Sequence, residues 1–159
     1  PITSGNKWQY ISWAKSVDGV GDAKCLPLWN GAGTVKVIIV DSEKQLAGSE
    51  LINKVQSYID EQCPIGADVT VTTATAVSIN VTFSADVDES TIESIKSNIR
   101  SYLRDVSFAN GYVSYAKIGQ TILNTDGVDH YSNLKINSKT ENIAISETEI
   151  AVLGGVAVG

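Results

Sequence analysis

The sequence predicts an α+β fold of two small subdomains, each a mostly antiparallel sheet with helices packed on one face. Three observations lead to that class. Short β-branched runs such as "TVKVIIVD" and "AVSINVTFSADV" alternate or cluster apolar residues between turn signals. Two segments, 50–62 and 90–106, place apolar residues at helical spacing. Strands joined by hairpins, with helices on one face, are the grammar of α+β layers. The small, polar stretch "TTATAVS" marks the division, so residues 1–75 read as α-β-β-α-β with a hairpin turn at 30–33, and residues 76–159 as β-α-β-α-β-β.

Trp8, Ile11, Ala14 and Val17 recur at helical spacing and predict a first helix that ends at Gly19-Val20-Gly21. "DAKCLPLWN" and "TVKVIIVD" are then the arms of a hairpin, with Pro27 placing the first arm at a sheet edge or a bulge. Between them Asn30-Gly31-Ala32-Gly33 raises the question of a phosphate cradle. Such a cradle needs strand, loop and helix in that order. Here the glycines precede the strand, and the third glycine of the count would fall at Lys36. Asn-Gly reads instead as a turn, since both residues tolerate positive φ.

Ser49 is the expected N-cap of the next helix, whose face is Leu51, Ile52, Val55, Tyr58 and Ile59 and whose stop is Pro64 and Gly66. "ADVTVTTAT" follows as a strand. In the second half Val77, Ile79, Val81 and Phe83 alternate as in a half-buried strand. Ser90-x-x-Glu93 reads as a capping box ahead of the stripe Ile92, Ile95, Ile99, Tyr102, Leu103 and Val106. After Asn110-Gly111 come a strand, a short helix and an Asp126-Gly127 turn. "HYSNLKIN" and "NIAISETEIAVLGGVAVG" close the chain as two or three strands. The strand, acidic loop and helix of residues 35–61 echo those of 77–105, either as a duplication or as the common grammar of strand-helix units.

With 159 residues, 43% of them hydrophobic and 19% charged, the chain can bury a real core. A net charge of −6 and scattered basic residues argue against nucleic acid as a partner. No apolar run approaches the ~20 residues that cross a bilayer, and "PITSGNKWQY" is no signal peptide, so no membrane insertion is expected. The start at Pro1 and the absence of methionine read as an excised fragment of a longer protein.

Catalytic chemistry has little to work with. The sole histidine, His130, has Asp126 and Asp129 near it in sequence, but an ordinary surface histidine accounts for it. "DVDES", Asp86–Ser90, starts like a calcium loop and then puts Thr91 where glycine and Ser97 where glutamate is required. An acidic helix start explains the same residues. Cys25 and Cys63 lack metal-site spacing and read as two reduced thiols. Asn80-Val81-Thr82 is a glycosylation sequon without a secretory context. Trp8, Trp13 and Trp29 would serve as a carbohydrate-stacking surface or, the reading adopted, as core plus a contact to upstream sequence. The expectation is no catalytic, cofactor-binding or metal-binding residue and no enzyme. The apolar end "EIAVLGGVAVG" is ready to add as a strand to a sheet, its own or a neighbour's, and points to assembly.

Several landmarks agree in order and spacing: Trp13-Ala14, Gly19-Val20-Gly21, Trp29-Asn30-Gly31-Ala32-Gly33-Thr34-Val35, Pro64-Ile65-Gly66-Ala67, "ESTIESIKSNIRSYL", "TDGV" and "ETEIAVLGGVAV". From about Tyr10 to Val158 the chain resembles the baseplate J-like family of contractile-tailed bacteriophages. The resemblance implies the C-terminal fragment of a baseplate wedge protein, a structural component of a phage or prophage tail. Its partners would be other copies of itself and other baseplate wedge or tail proteins, in the virion tail baseplate assembled in the bacterial host cytoplasm. It brings no catalytic or cofactor residues. Two alternatives stand beside it: the equivalent part of a tailocin or other contractile injection system, and a cell-wall carbohydrate-binding or hydrolytic module using Asp126 and Asp129.

Overall fold

The computed structural model describes residues 6–63 and 65–159. The chain divides into two compact units, Pro1–Thr75 and Ala76–Gly159, each with its own apolar cluster.

In the first unit, α1 (Lys7–Ser16) is capped by the Asn6 side chain, which accepts the Gln9 N–H at 3.1 Å. Its buried face is Tyr10, Ala14 and the C-cap Val17, with Ile11 and Trp13 partly buried beside them. Trp8 is 82% exposed, contrary to the sequence reading. It precedes Ala14 by six residues, which puts it about a third of a turn away from the buried face.

Strand β1 (Val20–Pro27) pairs antiparallel with β2 (Thr34–Asp41), placing Cys25 opposite Val37 and Pro27 opposite Val35. A bulge between Val20 and Asp22 needs Gly21, because a Cβ there would overlap the Asp41 carbonyl oxygen. The connecting turn departs from the expected Asn-Gly geometry. Positive φ falls on Leu28, Gly31 and Gly33, not on Asn30, and the loop closes where the Leu28 N–H donates to the Thr34 carbonyl at 2.7 Å.

Helix α2 (Ser49–Gln62) begins one residue earlier than the sequence suggests, so Gly48 occupies the N-cap position and Ser49 lies inside the helix. Val55 and Ile59 are fully buried, with Leu51, Ile52 and Tyr58 packed at the margin. Cys63 ends the helix; the expected stop at Pro64 lies outside the described residues. Strand β3 (Asp68–Thr73) then pairs parallel with β2, Val71 opposite Val37, giving the order β1-β2-β3. The sheet is therefore mixed, and β2 is central because both its edges are taken. Val35, Val37 and Ile39 on one face meet Tyr10, Ala14, Val55 and Ile59 from the helices.

In the second unit, β4 (Thr75–Ser84) leads to α3 (Glu89–Asp105). The capping residue is Asp88, whose carboxylate accepts the Thr91 N–H at 2.8 Å and the Ser90 hydroxyl at 2.9 Å. The Ser90-Glu93 capping box is thus not formed, because the helix starts before Ser90. Ile95, Ile99 and Leu103 form the buried stripe. Two short strands, β5 (Tyr112–Val113) and β7 (Ile143–Ala144), pair with each other and flank α4 (Tyr115–Leu123) and β6 (Ser132–Ile136). The chain closes with β8 (Glu149–Val158), so three strands follow α4 where the β-α-β-α-β-β count has two. The main sheet has the order β6-β4-β8, with β6 antiparallel to β4. Side-chain hydrogen bonds tie these elements together. The Tyr102 hydroxyl accepts the Ser114 N–H, the Tyr115 hydroxyl donates to the Leu134 carbonyl, and Asn98 bonds the buried Thr125.

Candidate functional site

The chemically suggestive residues are not brought together. Asp126, Asp129 and His130 are all exposed, and no hydrogen bond or ion pair links them. Asp88 of the "DVDES" cluster spends its carboxylate on the helix cap, and its pKa is lowered by the Thr91 backbone N–H and then by the Ser90 hydroxyl. Among the described residues no group of three or more His, Cys, Asp or Glu is placed to hold a metal ion. An open recess of about 580 Å³ beside β4, β6 and β8 has Thr82, Ser84, Asn133 and Lys135 on its wall, with Lys135 its one ionisable side chain.

The two thiols are poor nucleophiles. Burial raises the pKa of Cys25 and of half-buried Cys63, keeping both protonated at neutral pH. Tyr10, between α1 and the sheet, is also raised by burial, with the neighbouring Cys63 pushing in the same direction. Its hydroxyl is buried beside the Cys63 thiol.

The tryptophans do not form one platform. Trp13 packs edge-to-face on Tyr10 at 5.5 Å, and Trp29, 44% exposed, carries the Lys36 ammonium 4.8 Å from its ring centre. Of the three, only Trp13 packs against the core. Among the described residues no helix is long and apolar enough to cross a membrane.

What the structure does show is a pattern of managed sheet edges. An edge strand exposes backbone groups that pair readily with any passing strand. The β1 edge is broken by its bulge and ends in Pro27. The β3 edge is plugged by Gln56 of α2, whose carboxamide donates to the Val69 carbonyl at 2.9 Å and accepts the Val71 N–H at 2.9 Å, as a neighbouring strand would. The β6 edge is five residues long, with a register shift opposite Thr82–Ser84 and a positive φ at Asn133. Just beyond β6, Asn137 turns its carboxamide onto β4, accepting the Asn80 N–H at 2.8 Å and donating to the Ser78 carbonyl at 3.0 Å. Sequence reasoning missed both plugs. Asn137-Ser138 carried a turn signal, and both residues have positive φ, but nothing in Gln56 distinguished it from other polar residues of its helix.

The final strand differs. β8 runs ten residues at the sheet edge, and from Ile150 to Val158 it has no charge and no proline. Gly154 at its middle lies against Ser78 and Asn80 so closely that a Cβ would overlap both side chains. The expected addition of the apolar end to a sheet is therefore made to the chain's own β4.

Comparison with known proteins matches residues 2–73 to the Baseplate J-like central domain and residues 75–159 to the Baseplate J-like protein C-terminal domain. The phage-like element PBSX protein XkdT of Bacillus subtilis (strain 168) is 38% identical over 168 residues, covering 98% of this chain and 48% of that protein. Baseplate protein gp47 of Escherichia phage Mu is 24% identical over 169 residues, covering 98% of this chain and 46% of its own length. The chain thus spans about half the length of the curated relatives it matches. Among solved structures, a chain of the cryo-EM structure of the anti-feeding prophage (AFP) baseplate, 6-fold symmetrised, superposes with a TM-score of 0.63 at 6% identity, over 91% of this chain and 36% of that chain. That likeness is one of fold.

Proposed function

The chain belongs to the baseplate J-like family, as its central and C-terminal domains in succession, and from that premise we propose that it is a structural building block of a phage or prophage tail baseplate. The observation that carries the reading is the succession itself: two family domains in family order account for residues 2–73 and 75–159. The working units are residues 1–75 and 76–159. The protein performs no catalysis and takes no cofactor; its chemistry is that of surfaces and sheet edges. Its partners are other copies of itself and other baseplate wedge or tail proteins, with no nucleic acid contact and no membrane insertion. It acts in the tail baseplate after assembly in the bacterial host cytoplasm. The exposed, unlinked Asp126, Asp129 and His130 and the protonated thiols support the non-catalytic part.

Mass spectrometry of contractile tails purified from the source bacterium after prophage induction tests the reading. The protein is expected in the tail fraction, and its deletion is expected to leave tails without a baseplate. Complete, infective tails lacking the protein would sink the proposal. Wall binding or hydrolysis abolished by Asp→Asn at Asp126 and Asp129 would favour a cell-wall module instead.

A further inference from the structure

The sequence contains two Asn-Gly pairs, Asn30-Gly31 and Asn110-Gly111, and the fold treats them differently. Asparagine before glycine is chemically labile, because no Cβ on the following residue hinders closure of a five-membered ring between the side-chain Cγ and the next backbone nitrogen. The attacking group is that nitrogen, so a hydrogen bond on its N–H holds the reaction back. At 30–31 the glycine serves the turn and its amide is engaged. Gly31 has a φ of +99°, its N–H donates to the Leu28 carbonyl at 3.4 Å, and its own carbonyl accepts the Thr34 hydroxyl at 2.7 Å. The Asn30 N–H donates to Thr34 Oγ1 at 3.0 Å, so both residues are fixed in one closed loop. At 110–111 the fold makes no use of what glycine alone can do. Gly111 is not among the glycines with positive φ, and a Cβ there would meet only the Ile145 carbonyl oxygen, 3.9 Å away. Asn110 and Gly111 are both exposed, and neither the Asn110 carboxamide nor the Gly111 N–H has a hydrogen-bond partner among the described residues. Only the flanks are anchored: the Asn110 N–H donates to the Val106 carbonyl at 3.2 Å, and the Gly111 carbonyl accepts the Ile145 N–H at 2.9 Å.

We infer that Asn110 is a site of spontaneous deamidation and that its conversion loosens the β5–β7 ladder. The Gly111 nitrogen attacks Asn110 Cγ and a new N–C bond closes the ring. The bond from Cγ to the side-chain nitrogen breaks, and that nitrogen leaves as ammonia, carrying the proton given up by the glycine N–H. Solvent water then opens the ring at either carbonyl, giving aspartate or isoaspartate; nothing is oxidised or reduced. Either product adds a negative charge to a chain already at −6. Isoaspartate also inserts a methylene into the backbone beside the bond between the Gly111 carbonyl and the Ile145 N–H. That bond borders the ladder in which Tyr112 pairs with Ala144 and Val113 with Ile143, and a ladder so short has no further pairs to hold its register. The inference does not depend on the baseplate reading.

The test holds the 159-residue chain in mildly alkaline buffer and samples it over days by tryptic peptide mapping, with fragmentation that separates isoaspartate from aspartate. The two pairs fall in different peptides, 25–36 and 105–117. Asn110 is expected to convert about fivefold faster than Asn30, the factor that one hydrogen bond on the attacking nitrogen is worth. In denaturant the two are expected to convert alike, which assigns the difference to the fold. Gly111→Ala is expected to retain the melting temperature and to suppress conversion at 110, because the added Cβ meets open space in the fold but hinders the ring. Amide exchange at Ile145 is expected to be faster in the converted chain than in the fresh one. Equal rates at the two sites in the folded chain, or faster conversion at Asn30, overturn the site. A Gly111→Ala chain that converts as fast as the wild type does the same. Unchanged exchange at Ile145 after conversion overturns the loosening of the ladder.

Discussion

Gln56 and Asn137 do with one carboxamide what a neighbouring strand does with its backbone: each offers a donor and an acceptor to alternating residues of an edge. Replacing Gln56 with alanine leaves the Val71 N–H and the Val69 carbonyl without their partner. The expected cost is about 1–2 kcal/mol, measured by denaturant unfolding, since these groups are only partly shielded from water. Asp88 gives a test in pH. Its folded-state pKa lies below the unfolded value, so its stabilising contribution is complete above the ordinary aspartate pKa of about 3.9 and is lost as pH falls through the lower folded value. The melting temperature of the wild type is therefore expected to fall more steeply than that of Asp88→Asn below pH ~4. Equal slopes would show that the cap does not hold the carboxylate ionised. Asp88 was visible in the sequence as part of an acidic helix start; that it, and not Ser90, makes the cap depends on where the helix begins, a matter of two residues.

Helix α3 is the element most legible in the sequence, because a stripe repeated through Ile95, Ile99 and Leu103 leaves one way to turn the helix toward a sheet. Ile99 is fully buried, and Ile99→Ala is expected to cost about 2–5 kcal/mol in equilibrium unfolding, the sum of lost transfer energy and the cavity left behind. Helix α1 is the opposite case. Trp8, Tyr10, Ile11 and Trp13 lie around most of its circumference, and periodicity alone cannot choose the inward face when large apolar residues occur on several sides. The structure chooses Tyr10 and Ala14, so Trp8→Ala is expected to change stability by no more than about 0.5 kcal/mol, whereas a loss of several kcal/mol would place Trp8 in a core. The two-residue β5 and β7 ladder lies below any periodic signal, since two residues do not define an alternation.

For the molecule as a whole, Val55 and Ile99 are fully buried in separate apolar clusters, one in each unit. Val55→Ala is accordingly expected to speed amide exchange in β2 and β3, the strands on which α2 packs, as local stability falls with the lost contacts. Composition, the α+β class and the family landmarks were readable from the residues, because each depends on neighbours close along the chain. Tertiary structure alone decided that β3 runs parallel to β2, that β8 lies beside β4 at an edge, and that Gln56 and Asn137 complete strands distant in sequence. The physical reason is that a strand's side-chain period specifies which face is buried but leaves its hydrogen-bonding partner open. That partner is chosen only when helices, turns and competing strands are packed together and every remaining backbone donor and acceptor must find a bond or water.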